Sequence, residues 1–260
     1  MKHDILEYAA IQGRNRETFL LNYHDDFTTF NNQIGALDAS WSRIGNERDR
    51  KGQSHAGLVL FTNILLRHAI LGFQHITSYQ SFAAWLTFRP GLEALLFLGK
   101  FVDDPANAKI WRDRLTNRKI FRKSFSEKGL ISKSLPRCTD FREVLTRLND
   151  YFMHPNPDFT YRDMSFREVG RDIAIEIQFF DVGSDIHEGH LLAYLNLLDM
   201  IVSASESLVN TLYSPPQNAC SARKTFAIAA QARGASLAIR NSVAKRTMEE
   251  LGLWQFKSAP

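Results

Sequence analysis

The chain is poor in the residues that most often announce a function. Only two cysteines, Cys138 and Cys220, occur among 260 residues, far apart and in no ligand-like spacing, so neither a disulfide framework nor a zinc ribbon is supported. A cytoplasmic location is the one expected. There is no glycine-rich phosphate loop, no G-x-S-x-G, no C-x-x-C pair, no H-E-x-x-H and no paired-carboxylate metal site. Nucleotide, zinc and serine hydrolysis are therefore unsupported, and neither a metal nor a cofactor is expected. His187-Glu188-Gly189-His190 lacks the two-histidine i,i+4 spacing of a metalloprotease helix. No apolar run precedes the charges of the N-terminus, which does not read as a signal peptide. The longest apolar stretch, 56–66, is broken by Thr62 and Asn63 and followed by Arg67 and His68. A span needs about 20 apolar residues, so this stretch is expected to be a core helix and no membrane partner is foreseen.

What is present is a composition 44% hydrophobic, enough for a sizeable core, and an uneven charge distribution. The net charge of +4 conceals a net of +8 within 105–137 and +5 within 221–260, leaving the remainder net negative. Such segregation suggests a positive surface able to hold a polyanion. In the first of these stretches Trp111, Phe121 and Phe125 interleave with Arg112, Arg114, Arg118, Lys119, Arg122 and Lys123. That mixture suits phosphate contacts with base stacking. It equally suits a surface helix whose aromatics turn inward.

In chain order, residues 1–50 read as a loosely packed helical segment interrupted at Gly35. From Ser54 a long apolar helix follows, carrying His68 and His75, whose ordinary reading is satisfied helix histidines. Ser78 or Ser81 is placed to cap the next helix, SFAAWLTFRPGLEALLFLGKFV. Between Phe82 and Leu98 its only charges are Arg89 and Glu93, spaced i,i+4 in apolar company. Charges so placed need partners, either as a core ion pair or as part of a site. Pro90 predicts a kink or restart there. Alternating Ile173, Ile175, Ile177 and Phe179 predict a strand, with a hairpin partner from about 159. A helix resumes near Ile186, and Tyr213 to Asn218 reads as a linker to an alanine-rich, basic C-terminal stretch.

The segment 140–158, DFREVLTRLNDYFMHPNPD, concentrates the chemistry. Asp140 with Glu143 has the form of a capping box. Phe141, Val144, Leu145, Leu148 and Phe152 fall within about 100° of one another on a helix and define a buried stripe. Arg147 and His154, seven apart, differ by about 20° on the opposite side.

Two segments together carry a resemblance. FRPGLEALLFLGKFVDDP resembles the Arg-x-x-x-Glu helix of uncharacterised bacterial helical proteins, abortive-infection-like ones among them, placed near the HEPN superfamily. TRLNDYFMHPNP resembles the HEPN signature, an arginine followed by four to six residues and then a histidine at a helix end. Arg147 and His154 stand at its long end, with Leu148 where a polar residue is usual. The resemblance implies a helical bundle, and together with the residue pattern the expectation is a mostly α fold: a bundle over 51–214 with a small inserted β-hairpin at about 159–182, preceded by a helical segment, 1–50, and followed by a linker and basic helical extension, 215–260. It implies a homodimer and a metal-independent endoribonuclease, in phage defence or as a toxin with a protein partner or antitoxin. His154 would be the acid or base, Arg147 the phosphate stabiliser, and Arg89 with Glu93 the pair that orients the site. The alternatives are a non-catalytic helical module that binds RNA or protein, and a helical scaffold kept soluble by its charges.

Overall fold

The structure is a computed structural model that describes residues 5–46, 56–126, 129–150, 164–169, 172–177, 180–181 and 184–213. The protein is mostly helical. The described helices are α1 (Ile5–Asn22), α2 (His24–Asn46), α3 (Ala56–Thr77), α4 (Ser81–Asp103), α5 (Ala106–Arg112), α6 (Arg118–Phe125), α7 (Cys138–Leu148) and α8 (Ser184–Tyr213). Two short strands, β1 (Met164–Val169) and β2 (Asp172–Ile177), pair antiparallel with Val169 opposite Asp172.

The centre is the α3/α4 hairpin, the two most apolar helices lying side by side. Burial on α4 goes nearly all round: Trp85, Phe88, Leu92, Leu95, Leu96 and Leu98 are each inaccessible. Such a helix has to be covered on several sides. α7 and α8 both pack on α4, while α2 lies along α8 and α3. The N-terminal helices share the core, for Phe19 is fully buried and Phe30 stacks on Phe73 of α3 with ring centroids 3.7 Å apart.

Three local expectations give way to tertiary packing. α2 runs unbroken through Gly35, and α4 runs unbroken through Pro90. Proline costs a helix interior about 3 kcal/mol, but Phe88, Gly91 and Leu92 are buried around it and outweigh that loss. Neither Ser78 nor Ser81 caps α4 by its side chain in the ordinary way, because the N-cap is Gln80, with no side-chain bond. Instead the Asp181 carboxylate arrives from far along the chain and accepts from Ser81 N at 3.2 Å and Ser81 Oγ at 2.5 Å. A carboxylate at a helix N-terminus supplies acceptor and dipole complement together.

The hairpin turn is tight. Tyr79 adopts a left-handed φ of 59°. Gly72 lies under Tyr194 of α8, where an added Cβ would collide with Tyr194 Oη. That hydroxyl donates to Ala69 O at 2.7 Å, tying α8 to α3. α3 and α8 are each long and apolar enough to cross a membrane by length and composition alone, and in this fold both serve as bundle helices.

Candidate functional site at the junction of α4 and α7

α7 begins at Cys138, two residues ahead of Asp140. Its N-cap is Arg137 in the left-handed region, φ 58°, and Asp140 sits in the first turn accepting from Arg137 Nε at 2.8 Å. The capping box expected around Asp140 is therefore replaced by an ion pair just outside the helix. Four of the five residues of the expected stripe, Phe141, Val144, Leu145 and Leu148, are buried, and Phe152 lies outside the described residues; Glu143 is exposed and Arg147 is partly covered.

Arg147 Nη2 donates to Glu143 Oε1 at 2.6 Å, one turn back on the same face. Glu143, 59% exposed, orients the guanidinium without burying it. After Leu148 the helix widens into a π turn at Asn149–Asp150. Such turns rotate the residues that follow relative to a regular helix. His154, the histidine on which the acid–base reading depends, lies outside the described residues.

Arg89 crosses from α4 to this helix end. Its Nε donates to Asn149 Oδ1 at 2.5 Å, and its Nη1 lies 3.5 Å from Glu93 Oε2. One guanidinium fork thus holds both its own helix and the exit of α7. The need of Arg89 and Glu93 for partners is met by each other and by Asn149, a residue the sequence pattern did not single out. Arg89 therefore grips α7 where it widens into the π turn. The fold joins Arg89, Glu93 and Asn149 directly and holds Arg147 against Glu143.

The basic segment forms α5, a turn, and α6. Its aromatics turn inward: Trp111 meets Phe61 edge-on at 5.0 Å, and Phe125 meets Phe97 and Phe101 in the same manner. Phe121 stacks on Phe125 at 5.2 Å. The guanidinium of Arg114 lies over the Trp111 ring, 3.9 Å from its centroid. Phe125 is buried, while Trp111 and Phe121 are half-buried against the core, so the inward-facing alternative is the one realised. Arg112, Arg118, Lys119, Arg122 and Lys123 are exposed.

Compared with known proteins, the chain matches no protein family, no curated protein and no solved structure.

A second polar cluster, unforeseen from the sequence, surrounds the α3–α4 turn. Asp181 N donates to Tyr79 O at 2.7 Å, and the Asp181 carboxylate meets His187 Nδ1 at 3.3 Å. Burial pushes the Asp181 carboxyl up, but His187, Ser81 and the charge of His190 more than offset it and hold the group below its ordinary range. His187 is fully buried, with Tyr79 stacked on its ring at 3.9 Å and its Nε2 without a partner. His190 Nδ1 accepts from Trp85 Nε1 at 3.0 Å. Burial, then Glu188, pushes the Tyr23 phenol upward, and Tyr23 Oη donates to Glu188 at 3.2 Å. From α1, Asn15 and Arg16 bond to Ser78, and Gln12 to Gln80. Asp181 lies 100 residues from Ser81, so no local spacing could have signalled it.

His68, His75 and the Cys138 thiol are structural. His68 Nδ1 donates to Thr87 O at 2.6 Å and His75 Nδ1 meets Gln80 Oε1 at 3.3 Å. Burial pushes the Cys138 thiol up, and its sulfur is bonded to Ser132 N and Leu130 O, which suits a core residue and not a nucleophile. Among the described residues no group of three or more His, Cys, Asp and Glu could hold a metal ion.

Proposed function

We propose that this protein is HEPN-like and cleaves RNA without a metal ion, using Arg147 and His154. The observation that carries the reading is the Arg89 bond to Asn149, which ties the Arg-x-x-x-Glu helix to the exit of the arginine–histidine segment. In this scheme Arg89 and Glu93 are positioning residues that fix where α7 ends. Glu143 holds Arg147 ready.

The chemistry needs only the side chains. A histidine of ordinary pKa, about 6.5, takes the proton of a ribose 2′-hydroxyl as its oxygen attacks the adjacent phosphorus. Arg147 stabilises the charge on the non-bridging oxygens through its forked donors. The bond to the 5′-oxygen breaks, that oxygen takes a proton, and the products end in a 2′,3′-cyclic phosphate and a 5′-hydroxyl. The Arg147 side chain is 27% exposed, and a second protomer meeting that exposed part belongs to the proposal.

The test is RNA cleavage in EDTA by wild type, Arg147→Ala and His154→Ala. Loss of at least 100-fold in both variants, with cyclic phosphate products from wild type, supports the reading. Equal rates in all three would sink it. A second reading, a non-catalytic RNA-binding module, is favoured by the exposed cations of α6, and it is what survives if RNA is bound and never cut.

A further inference from the structure

Six exposed cations of the basic segment, Lys109, Arg112, Arg118, Lys119, Arg122 and Lys123, have no ion-pair partner among the described residues. Several arginines outside this segment are partnered: Arg16 with Ser78, Arg43 with Asn210, and Arg89 with Asn149 and Glu93. On α6 the opposite holds. Arg118 with Arg122, and Lys119 with Lys123, are like-charge pairs at i,i+4, an arrangement that disfavours a helix. The four fall within an arc of about 140°. Phe125 lies about 20° beyond Arg118 on the helix, at the edge of that arc, and its burial against α4 anchors the helix to the core.

We infer that this arc is a platform for the sugar-phosphate backbone of base-paired RNA, and this inference rests on the reading of the protein as one that acts on RNA. Unpaired strands are held by stacking bases on exposed aromatic rings. Here each ring is already engaged and none is fully exposed: Phe125 is buried against Phe97 and Phe101, half-buried Phe121 stacks on Phe125, and half-buried Trp111 meets Phe61 at a steep angle and carries Arg114 over its ring. What is left outside is charge on a rigid support, which reads the shape and phosphates of a duplex without reading its sequence. An anionic membrane is the weaker fit. Of α6's apolar residues only Ile120 is exposed, with Leu115 in the preceding turn, and that is too little apolar face to enter a bilayer interface.

The experiment uses the full chain carrying His154→Ala, so that the probe survives whether or not the protein is a nuclease. Binding is measured to a 20-base-pair RNA duplex, to an unpaired RNA strand of equal length, and to phosphatidylserine vesicles, over a range of salt. The duplex is expected to bind at least tenfold tighter than the strand, with unrelated duplexes competing equally. Adding Arg118→Ala, Lys119→Ala, Arg122→Ala and Lys123→Ala together should flatten the salt dependence by about 3.6 in the log–log slope, near 0.9 for each phosphate that is no longer neutralised. Circular dichroism checks that this variant still folds, and Arg122→Ala alone gives the same reading on a smaller scale. Equal or tighter binding of the strand, an unchanged slope, or capture by vesicles and not by duplex would each overturn the inference. Duplex binding by a protein that cuts no RNA would remove the nuclease reading and leave this one standing.

Discussion

Arg89 is a guanidinium, three-quarters covered, serving two helices at once, and the consequence is specific to its shape. Lysine has no fork, so Arg89→Lys should fail to replace it. Asn149→Ala is expected to cost about 1 kcal/mol, a charged hydrogen bond reduced by partial exposure, and so to lower the melting temperature by about 2–4 °C. The double variant with Arg89→Ala should cost little more than the worse single one, because both remove the same bond. Thermal melts of the four proteins check this. Asp181 gives a pH signature. Its folded pKa lies below the ordinary value, so its stabilisation is full above the unfolded pKa of about 3.9 and is lost as pH falls through the folded value. Urea midpoints between pH 7 and pH 3 should therefore fall more steeply for wild type than for Asp181→Asn, which is weaker at neutral pH. At this scale the sequence was half legible. The i,i+4 spacing of Arg89 and Glu93 in apolar surroundings announced an interaction, and the stripe of Phe141, Val144, Leu145 and Leu148 announced a face. Asn149 and Asp181 were silent because their partners stand 60 and 100 positions away.

Among the elements, helices were readable and their ends were not. α2 and α4 pass through Gly35 and Pro90 because side-chain burial outweighs the local cost, and α7 starts early because Arg137 adopts a left-handed turn. Periodicity reports burial and is blind to a cap supplied from elsewhere. Glycines separate the two kinds of position. Nothing lies within 4 Å of a Cβ at Gly35, so Gly35→Ala should stabilise by about 0.5–1 kcal/mol. At Gly72 a Cβ would collide with Tyr194 Oη and meet Ala84 O at 3.1 Å, so Gly72→Ala should destabilise by about 1–3 kcal/mol. Denaturant titrations of the two variants should move in opposite directions. The loop after α6 depends on Asp103 at the end of α4, which accepts from Lys133 N, Ser134 N and Ser132 Oγ.

At the scale of the molecule, charge segregation read from the sequence became a rigid positive surface only because the bundle took the aromatics of that segment inward. Composition could not show which way Trp111, Phe121 and Phe125 would face, since both orientations satisfy the same pattern. Repulsion among the α6 cations should make the free protein sensitive to ions. Raising salt from about 0.05 to 0.3 M, or adding a polyanion such as heparin, should raise the melting temperature. The gain should shrink in the protein lacking the four α6 cations, as differential scanning fluorimetry would show.

The Asp181 cap on α4 has a consequence in time. A ribosome releases the chain from its N-terminus at about 5–20 residues per second. Ser81, at the start of α4, therefore emerges 100 residues before the carboxylate that completes it. Until then the first turn of α4 lacks its acceptor and Trp85 lacks its bond to His190. The α3–α4 hairpin can form early from its apolar surface, but the end that carries Tyr79 closes only when Asp181 and His187 arrive. The nascent protein thus leaves the α3–α4 turn open until a segment 100 residues further along the chain has emerged.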